Sequence, residues 1–378
     1  MKFLPNNFFV SITDLLLVLG VVVVGISLQN TTVSAKDSTR IARPGYDWNF
    51  PEDHMAHPGY RTEWWYFTGI LDGAGQEYGY QFTIFRQELA ESVQPGSIWF
   101  SNEIYLGHFS WIDLKKQSHR SYQKISRALP GVAHGDTQPP GAIRVRSARL
   151  VPGSDTWSLR VSHGDTTLRL LLEPRKPPLF QGPGGYSKKG SRKSQASQYY
   201  SFPRMKTTGV LEAGGETISL TGTSWFDQEF GSSQLSDNQV GWDWISLRLS
   251  DGSDLMVYRL REEDGSITPE SSITLRKPDG SVEYIPAHKW KMEPVNDWES
   301  PRTGARYPVE WRVEVPEYSL RLRVRARFAA QEMVLPGAVT APYWEGVITG
   351  EGKRDGKSVT GEGFLEMTGY VETLSGLF

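Results

Sequence analysis

The residues best suited to chemistry in this chain are carboxylates set among aromatic rings. Asp227 and Glu229 stand two apart in Trp225-Phe226-Asp227-Gln228-Glu229-Phe230-Gly231, and on a strand, whose side chains alternate, that spacing puts both carboxyls on one face. An apolar pocket raises a carboxyl pKa towards neutrality, so either could protonate an alkene or shift a double bond, with Trp225, Trp242 or Trp244 steadying the cationic intermediate through their ring faces. Gln228 cannot serve as that donor. Glu63 and Glu345 are the alternate acids. The competing role for all four is structural: holding a closing turn, anchoring buried backbone groups, or pairing with arginines such as Arg86 and Arg259. The candidate ligand contacts are Trp65, Tyr66, His108, Tyr200, Trp225, Trp242, Trp244, Tyr258 and Trp344. For the tryptophans the competing role is core packing, and Trp64, Trp111 and Trp157 read first as core.

Other chemistries lack their residues. Cysteine is absent, which removes disulfides, thiol nucleophiles and thiolate metal sites. Gly222-Thr223-Ser224 runs on into Trp225 rather than forming a nucleophile elbow, and neither a zinc-protease helix motif nor a phosphate-binding loop is present. His54 and His57 beside Asp53 lie in a Pro-rich entry segment and read as surface residues rather than metal ligands. No metal or cofactor is expected. A formal net charge of -2 makes no field that would gather nucleic acid.

The elements that must position these residues are strands. With 38 Gly and 23 Pro spread along 378 residues, few windows could hold a helix of ordinary length. Residues 63–71, 78–86, 103–113, 142–150, 157–162 and 167–173 are rich in β-branched and aromatic side chains. Asp-Gly pairs at 72–73, 251–252, 264–265, 279–280 and 355–356 punctuate the chain as hairpin turns would. The 13 Trp, 16 Tyr and 16 Phe suit filled barrel cores or pockets for apolar ligands. Ahead of the strands, Lys2, an apolar run over residues 15–28 and Val33-Ser34-Ala35 have the order of an export signal. The mature protein is expected to begin near Lys36, with an uncleaved membrane anchor as the alternative, and to be periplasmic or secreted.

The second half repeats the first. Residues 65–73 (WYFTGILDG) lie over residues 244–252 (WISLRLSDG), and Thr221-Gly222 leads to Phe226-Asp227 as Thr360-Gly361 leads to Leu365-Glu366. This is the pattern of a duplicated barrel-forming unit. It predicts an all-β chain of two antiparallel barrels, residues 44–232 and 236–378, joined through the linker-like residues 231–239. Ile245, Leu247 and Leu249 alternate with Ser246, Arg248 and Ser250, so the first set points inward. Carried across the repeat, that register places Tyr66, Thr68 and Ile70 inside the first barrel. Trp65, Phe67 and Leu71 would then lie outside it, against the other barrel, together with Trp242 and Trp244. Residues 181–196, with Lys188, Lys189, Arg192 and Lys193 among Gly and Ser, read as a solvated loop or as a flap over a barrel mouth.

At residues 60–69 (YRTEWWYFTG) the chain resembles the AttH and carotenoid 1,2-hydratase-like family of lipocalin-like proteins, often described as predicted secreted hydrolases. The likeness continues through residues 107–109 (GHF), 176–181 (KPPLFQ), 199–201 (YYS), 225–231 (WFDQEFG), 241–244 (GWDW) and 343–346 (YWEG). It implies two calycin-type barrels, export, and apolar or lipid-like ligands. The hydratase branch is thought to add water to a terminal double bond with acid–base residues, near an Asp-His-Asn element that here reads Asp227-Gln228-Glu229. The missing histidine speaks against inherited hydratase activity. Three functions therefore stand: an exported carrier of a lipid or isoprenoid-like ligand first, a hydratase or isomerase acting on such a ligand second, and an envelope protein serving a transporter or attachment system third.

Overall fold

The computed structural model describes residues 40–89, 101–232, 235–335 and 341–374, and the expected export segment lies outside them. The described residues fall in one compact unit. Thirteen strands make the first sheet: β1 (Thr62–Gly73), β2 (Gln76–Glu88), β3 (Glu103–Asp113), β4 (Ser118–Arg127), β5 (Ala133–Gly135), β6 (Ile143–Val145), β7 (Ala148–Val151), β8 (Trp157–His163), β9 (Thr166–Pro174), β10 (Leu179–Phe180), β11 (Tyr186–Lys188), β12 (Ala196–Ala213) and β13 (Glu216–Gly231). Ten make the second: β14 (Gln239–Leu249), β15 (Asp254–Glu262), β16 (Ser272–Arg276), β17 (Val282–Pro286), β18 (Lys291–Glu299), β19 (Arg306–Val315), β20 (Leu320–Ala326), β21 (Glu332–Met333), β22 (Tyr343–Arg354) and β23 (Lys357–Met367). The first sheet runs β4-β3-β2-β1-β13-β12-β9-β8-β7-β6-β5 and curls into a nearly closed barrel. The second runs β17-β16-β15-β14-β23-β22-β20-β19-β18 as a half-barrel. All named pairings are antiparallel, with the closing strand returning beside the opening one in each unit, β13 to β1 and β23 to β14.

Three apolar layers result. Trp65, Phe67, Phe82, Trp157, Phe202 and Phe226 fill the first barrel. Ile245, Leu247, Leu249, Trp311, Trp344 and Leu365 fill the second. Between them lies a seam of Tyr66, Ile70, Tyr199, Trp225, Trp244, Tyr258 and Phe364. Strands facing water alternate, as in β8 and β20, where every second residue is exposed over most of the strand. Strands caught between barrel and seam are buried on both faces, as nearly all of β1 and β14 are. Such strands lose the alternation that reveals which way they face.

That loss explains one failed expectation. Trp65, Phe67 and Leu71 point into the first barrel, and Tyr66 and Ile70 point to the seam, the reverse of the register carried over from the second half. The hairpins differ by a residue. Gly73 closes on Gln76 through the two-residue turn Ala74-Gly75, whereas Leu249 closes on Ser253 around Ser250-Asp251-Gly252. The ladders agree: Trp65 lies opposite Gln228 and Trp244 opposite Glu366, yet the match of the closing strands sets Gln228 over Met367. A one-residue slip exchanges the faces of a strand. Trp244 is at the seam as expected and Trp242 packs beside it; Trp65 is not. A smaller difference is that residues 142–150 form two strands, β6 and β7, around a turn at Arg146, whose φ is +52°.

The two units are pinned at one end of the seam. Asp254 is buried and takes both Lys176 Nζ at 2.8 Å and Arg204 Nε at 2.7 Å. Lys176 also donates to Gly252 O, and Arg276 to Pro177 O. This gives the Lys176-Pro177-Pro178 segment a mechanical role.

Candidate active site

The seam is assembled from two facing ladder rows. In the first sheet Gln123, His108, Thr83, Tyr66, Asp227 and Ser201 stand opposite one another across six adjacent strands, β4-β3-β2-β1-β13-β12. In the second, Tyr258, Trp244, Glu366 and Glu345 do the same across β15-β14-β23-β22. Tyr66 bridges the rows, its hydroxyl donating to Glu345 Oε1 at 2.6 Å. Trp244 Nε1 donates to Tyr199 OH at 3.1 Å, and His108 Nδ1 lies 2.9 Å from Tyr343 OH.

Alternation along β13 turns Trp225, Asp227 and Glu229 to the seam and Phe226 and Gln228 to the first barrel. Asp227 accepts hydrogen bonds from Tyr199 OH at 2.8 Å, Trp225 Nε1 at 2.7 Å and Ser201 Oγ. None of these donors carries charge. Burial therefore dominates and pushes the Asp227 carboxyl up to about 7, with the nearby Glu229 adding to it. Glu366 receives Trp242 Nε1 at 3.0 Å, and burial, with the negative charges of Asp227 and Glu229 behind it, raises its carboxyl to about 7. Glu345 lies directly opposite Glu366 on the neighbouring strand. Burial and that neighbour hold its carboxyl well above the usual range, and among the described residues nothing but that neighbour is placed to give its Oε2 a proton. Two buried carboxyls side by side share a proton rather than both ionise. Glu229 differs from the other three: Lys189 Nζ stands 2.8 Å from its Oε1, and Ser197 Oγ donates to the same atom.

These groups open on space. A pocket walled by Trp64, Tyr66, Phe85, Tyr199, Trp242, Trp244 and Tyr258 contains Asp227, Glu229 and Glu366. It shares Trp64, Phe85, Trp242 and Glu366 with a second chamber of about 250 Å³, bounded by Ile104, Leu106, Ile125, Pro342 and Leu374 among others. His108 borders that chamber as a neutral ring, its pKa lowered to about 4 by burial. The arrangement supplies proton donors near neutral pH, a carboxylate, and aromatic faces beside an apolar volume.

The remaining candidates sit elsewhere. Trp344 is in the second barrel's core, donating to Ala329 O. Tyr200 is inside the first barrel, donating to Gln228 Oε1 at 2.8 Å and lying 2.6 Å from His54 Nδ1. Glu63 borders the 250 Å³ chamber, but its carboxylate is tied to Arg86 Nε at 3.2 Å and His57 Nδ1 at 2.7 Å, and Gln228 Nε2 donates to it at 3.1 Å. His54 and His57 are buried, not surface residues. His57 bridges Glu63 and Asp53 and stacks on Phe230. Arg259 pairs with Asp243, not with Glu345. Among the described residues no group of three or more His, Asp or Glu is arranged to hold a metal ion. Sequence reasoning missed Glu366, Tyr199 and Lys189. Glu366 had a signal, since the repeat sets Leu365-Glu366 over Phe226-Asp227. Lys189 had none beyond its basic loop.

The AttH-like family profile matches residues 41–370. The chain belongs to the AttH-like family. The crystal structure of an AttH protein from Nitrosomonas europaea has a TM-score of 0.79 and 34% sequence identity to this AttH-like protein, covering 88% of it and 100% of the other chain. Kievitone hydratase from Nectria haematococca, at a TM-score of 0.68 and 15% identity over 89% of this chain and 95% of its own, shares the fold. The dehydratase asqC of Emericella nidulans is 24% identical over 219 residues, 56% of this AttH-like chain, which spans 61% of that dehydratase's length.

Proposed function

We propose that this protein is an acid–base enzyme that adds or removes water at a carbon–carbon double bond of an apolar molecule held between the two barrels. The observation that carries this reading is the convergence of Asp227, Glu229, Glu345 and Glu366 on one aromatic-walled seam, three of them without a cationic partner. In the dehydration direction the Asp227 carboxyl gives its proton to the leaving hydroxyl and the C–O bond breaks to release water. Glu229 takes the proton from the adjacent carbon, whose electron pair becomes the new double bond. The two carboxyls then exchange protons with solvent, and hydration is the same path reversed. Glu366 lines both spaces and is the second proton donor within reach. The apolar chamber accepts the substrate's lipid or isoprenoid-like body. The dehydratase and hydratase relatives support the reaction class.

The chamber also supports a second reading, a carrier that binds such a molecule without changing it. Hydroxylated and unsaturated isoprenoids and fatty acids, offered to the purified protein, separate the two. Gain or loss of one water by mass spectrometry is the expected result, and tryptophan fluorescence reports binding. Binding of these molecules without turnover would leave the carrier alone. Export from the cytoplasm belongs to the proposal as well, and N-terminal sequencing of protein from its own host, starting near Lys36, is the expected outcome.

A further inference from the structure

Lys189 has no exposed surface, an unusual state for the most strongly hydrated of side chains: burial lowers its pKa, and the Glu229 carboxylate beside it opposes that by favouring the ammonium. It comes from the basic loop that follows β11, while Lys188 beside it turns outward to Glu270 at 3.7 Å. Its backbone is held on both sides: Lys189 N donates to Gln195 O at 2.8 Å, and its carbonyl accepts from Gln239 Nε2, at the start of the second sheet, at 2.8 Å. The ammonium is thereby set over the Tyr258 ring, 3.9 Å from its centroid, and 5.3 Å from that of Tyr199. At 2.8 Å from Glu229 Oε1 it makes an ion pair closed off from water.

Asp227 lies two residues from Glu229 on the same face and meets only neutral donors, from Ser201, Tyr199 and Trp225. Every other ionisable group turned to this pair is an acid: Tyr199 on β12, Tyr258 on β15, Tyr66 on β1, Glu366 on β23, and Glu345 behind it on β22. Lys189 is thus the one cation that the described structure brings to the carboxyl cluster, and it touches one member, Glu229, while Asp227 feels its charge from further off. We propose that Lys189 is a positioning residue that divides the roles of two adjacent carboxyls, keeping Glu229 charged as the proton acceptor and so leaving Asp227 protonated as the donor. This rests on the acid–base reading of the seam but concerns where the protons sit, which is measurable without a substrate.

The experiment is an NMR titration of the full chain labelled at its aspartate and glutamate carboxyls, with signals assigned by their loss in Asp227→Asn and Glu229→Gln. In the Lys189→Met variant Glu229, buried and without its cation, is expected to take up a proton at higher pH than in the wild type. Asp227, relieved of a neighbouring charge, should then ionise at least about one pH unit lower than in the wild type. Lys189→Arg, which restores a cation, should bring both back. Should Lys189→Met not fold, Glu229→Gln reads the same coupling from the other side, and there too Asp227 must ionise at lower pH. Carboxyls that titrate in Lys189→Met as in the wild type, or an Asp227 that Glu229→Gln does not move, would overturn the proposal. Failure of the acid–base reading appears instead as binding without turnover, with these titrations intact.

Discussion

Two buried carboxyl clusters sit on opposite sides of the first sheet, and they obey opposite rules. On the barrel side of β1 and β13, Glu63, Asp53, His57, Arg86 and Gln228 form a closed set. Glu63 meets His57 and Arg86, Asp53 meets His57 and Tyr46, and Arg86 continues to Glu103 and the carbonyls of His57 and Tyr60. Partners outweigh burial there: Glu63 and Asp53 are held below the usual carboxylate values, and His57 is raised by the carboxylates on either side. On the seam side, Asp227, one residue along β13 from Gln228, and Glu345 and Glu366, on β22 and β23 of the facing sheet, find tyrosine, serine, tryptophan and each other. Burial outweighs partners there, so Asp227 and Glu366 hold their protons up to about pH 7 and Glu345 is also raised well above the usual range. A buried acid matched by a cation is scaffold, whereas one matched only by neutral donors is a store of protons.

The sharpest way to break this comparison is Glu63→Ala. It leaves Arg86 and His57 buried without their shared carboxylate and should cost about 3–5 kcal/mol of folding stability in urea unfolding. Asp227→Asn, which strands no cation and removes a carboxyl whose ionisation opposes folding, should not lower stability at neutral pH. Equal losses in the two variants would end the distinction. Next comes catalysis: Asp227→Asn or Glu366→Gln should lower turnover by at least about 100-fold with ligand affinity nearly unchanged. Full activity in both would place the acid elsewhere.

The pH dependence of stability sharpens the contrast through its sign. Glu63 and Asp53 are depressed on folding, so their contribution is present above their ordinary values of 4.5 and 3.8 and is lost as pH falls through the folded values. His57 is raised from 6.5, so its contribution is full below that pH and is lost as pH rises through the folded value. Asp227 and Glu366 are raised to about 7 from 3.8 and 4.5, so the seam favours folding at low pH and that contribution declines up to about pH 7. Asp227→Asn should flatten this decline, and Glu63→Ala should not. Midpoints of urea unfolding across pH test both. The smallest effect is expected from Trp242→Phe, which keeps the ring but removes the donor to Glu366. One such hydrogen bond is worth about 1 kcal/mol, so turnover should change by about 5-fold.

Much of the fold was legible because the chain punctuates itself. Residues 63–71 and 78–86 lie within β1 and β2, and residues 103–113 are β3 itself. The duplication in the closing strands is real in the ladder, where β13 returns to β1 as β23 returns to β14. In the site, the two-residue spacing of Asp227 and Glu229 led correctly to a shared face, and strand register placed Trp242 and Trp244 at the seam. Glu366 could have been reached by applying the repeat to the acids as well as to the strands. Tyr200 and Trp65 went astray because each adjoins a tyrosine buried on the opposite face, Tyr199 and Tyr66, so nothing local marks one face as the inner one.

The sequence by itself determined the strands, their antiparallel order and which side chains share a face, because turn residues and a period of two are local properties of the chain. Only the tertiary structure decided which of two equally apolar faces closes around a barrel core and which meets the other sheet. That choice depended on a one-residue difference between two hairpin turns and on which buried acids found a cation. It placed Arg86 beside Glu63, and it brought Lys189 to Glu229 from 40 residues away in the chain. Charge pairing across such distances is set by packing, and no spacing along the chain encodes it.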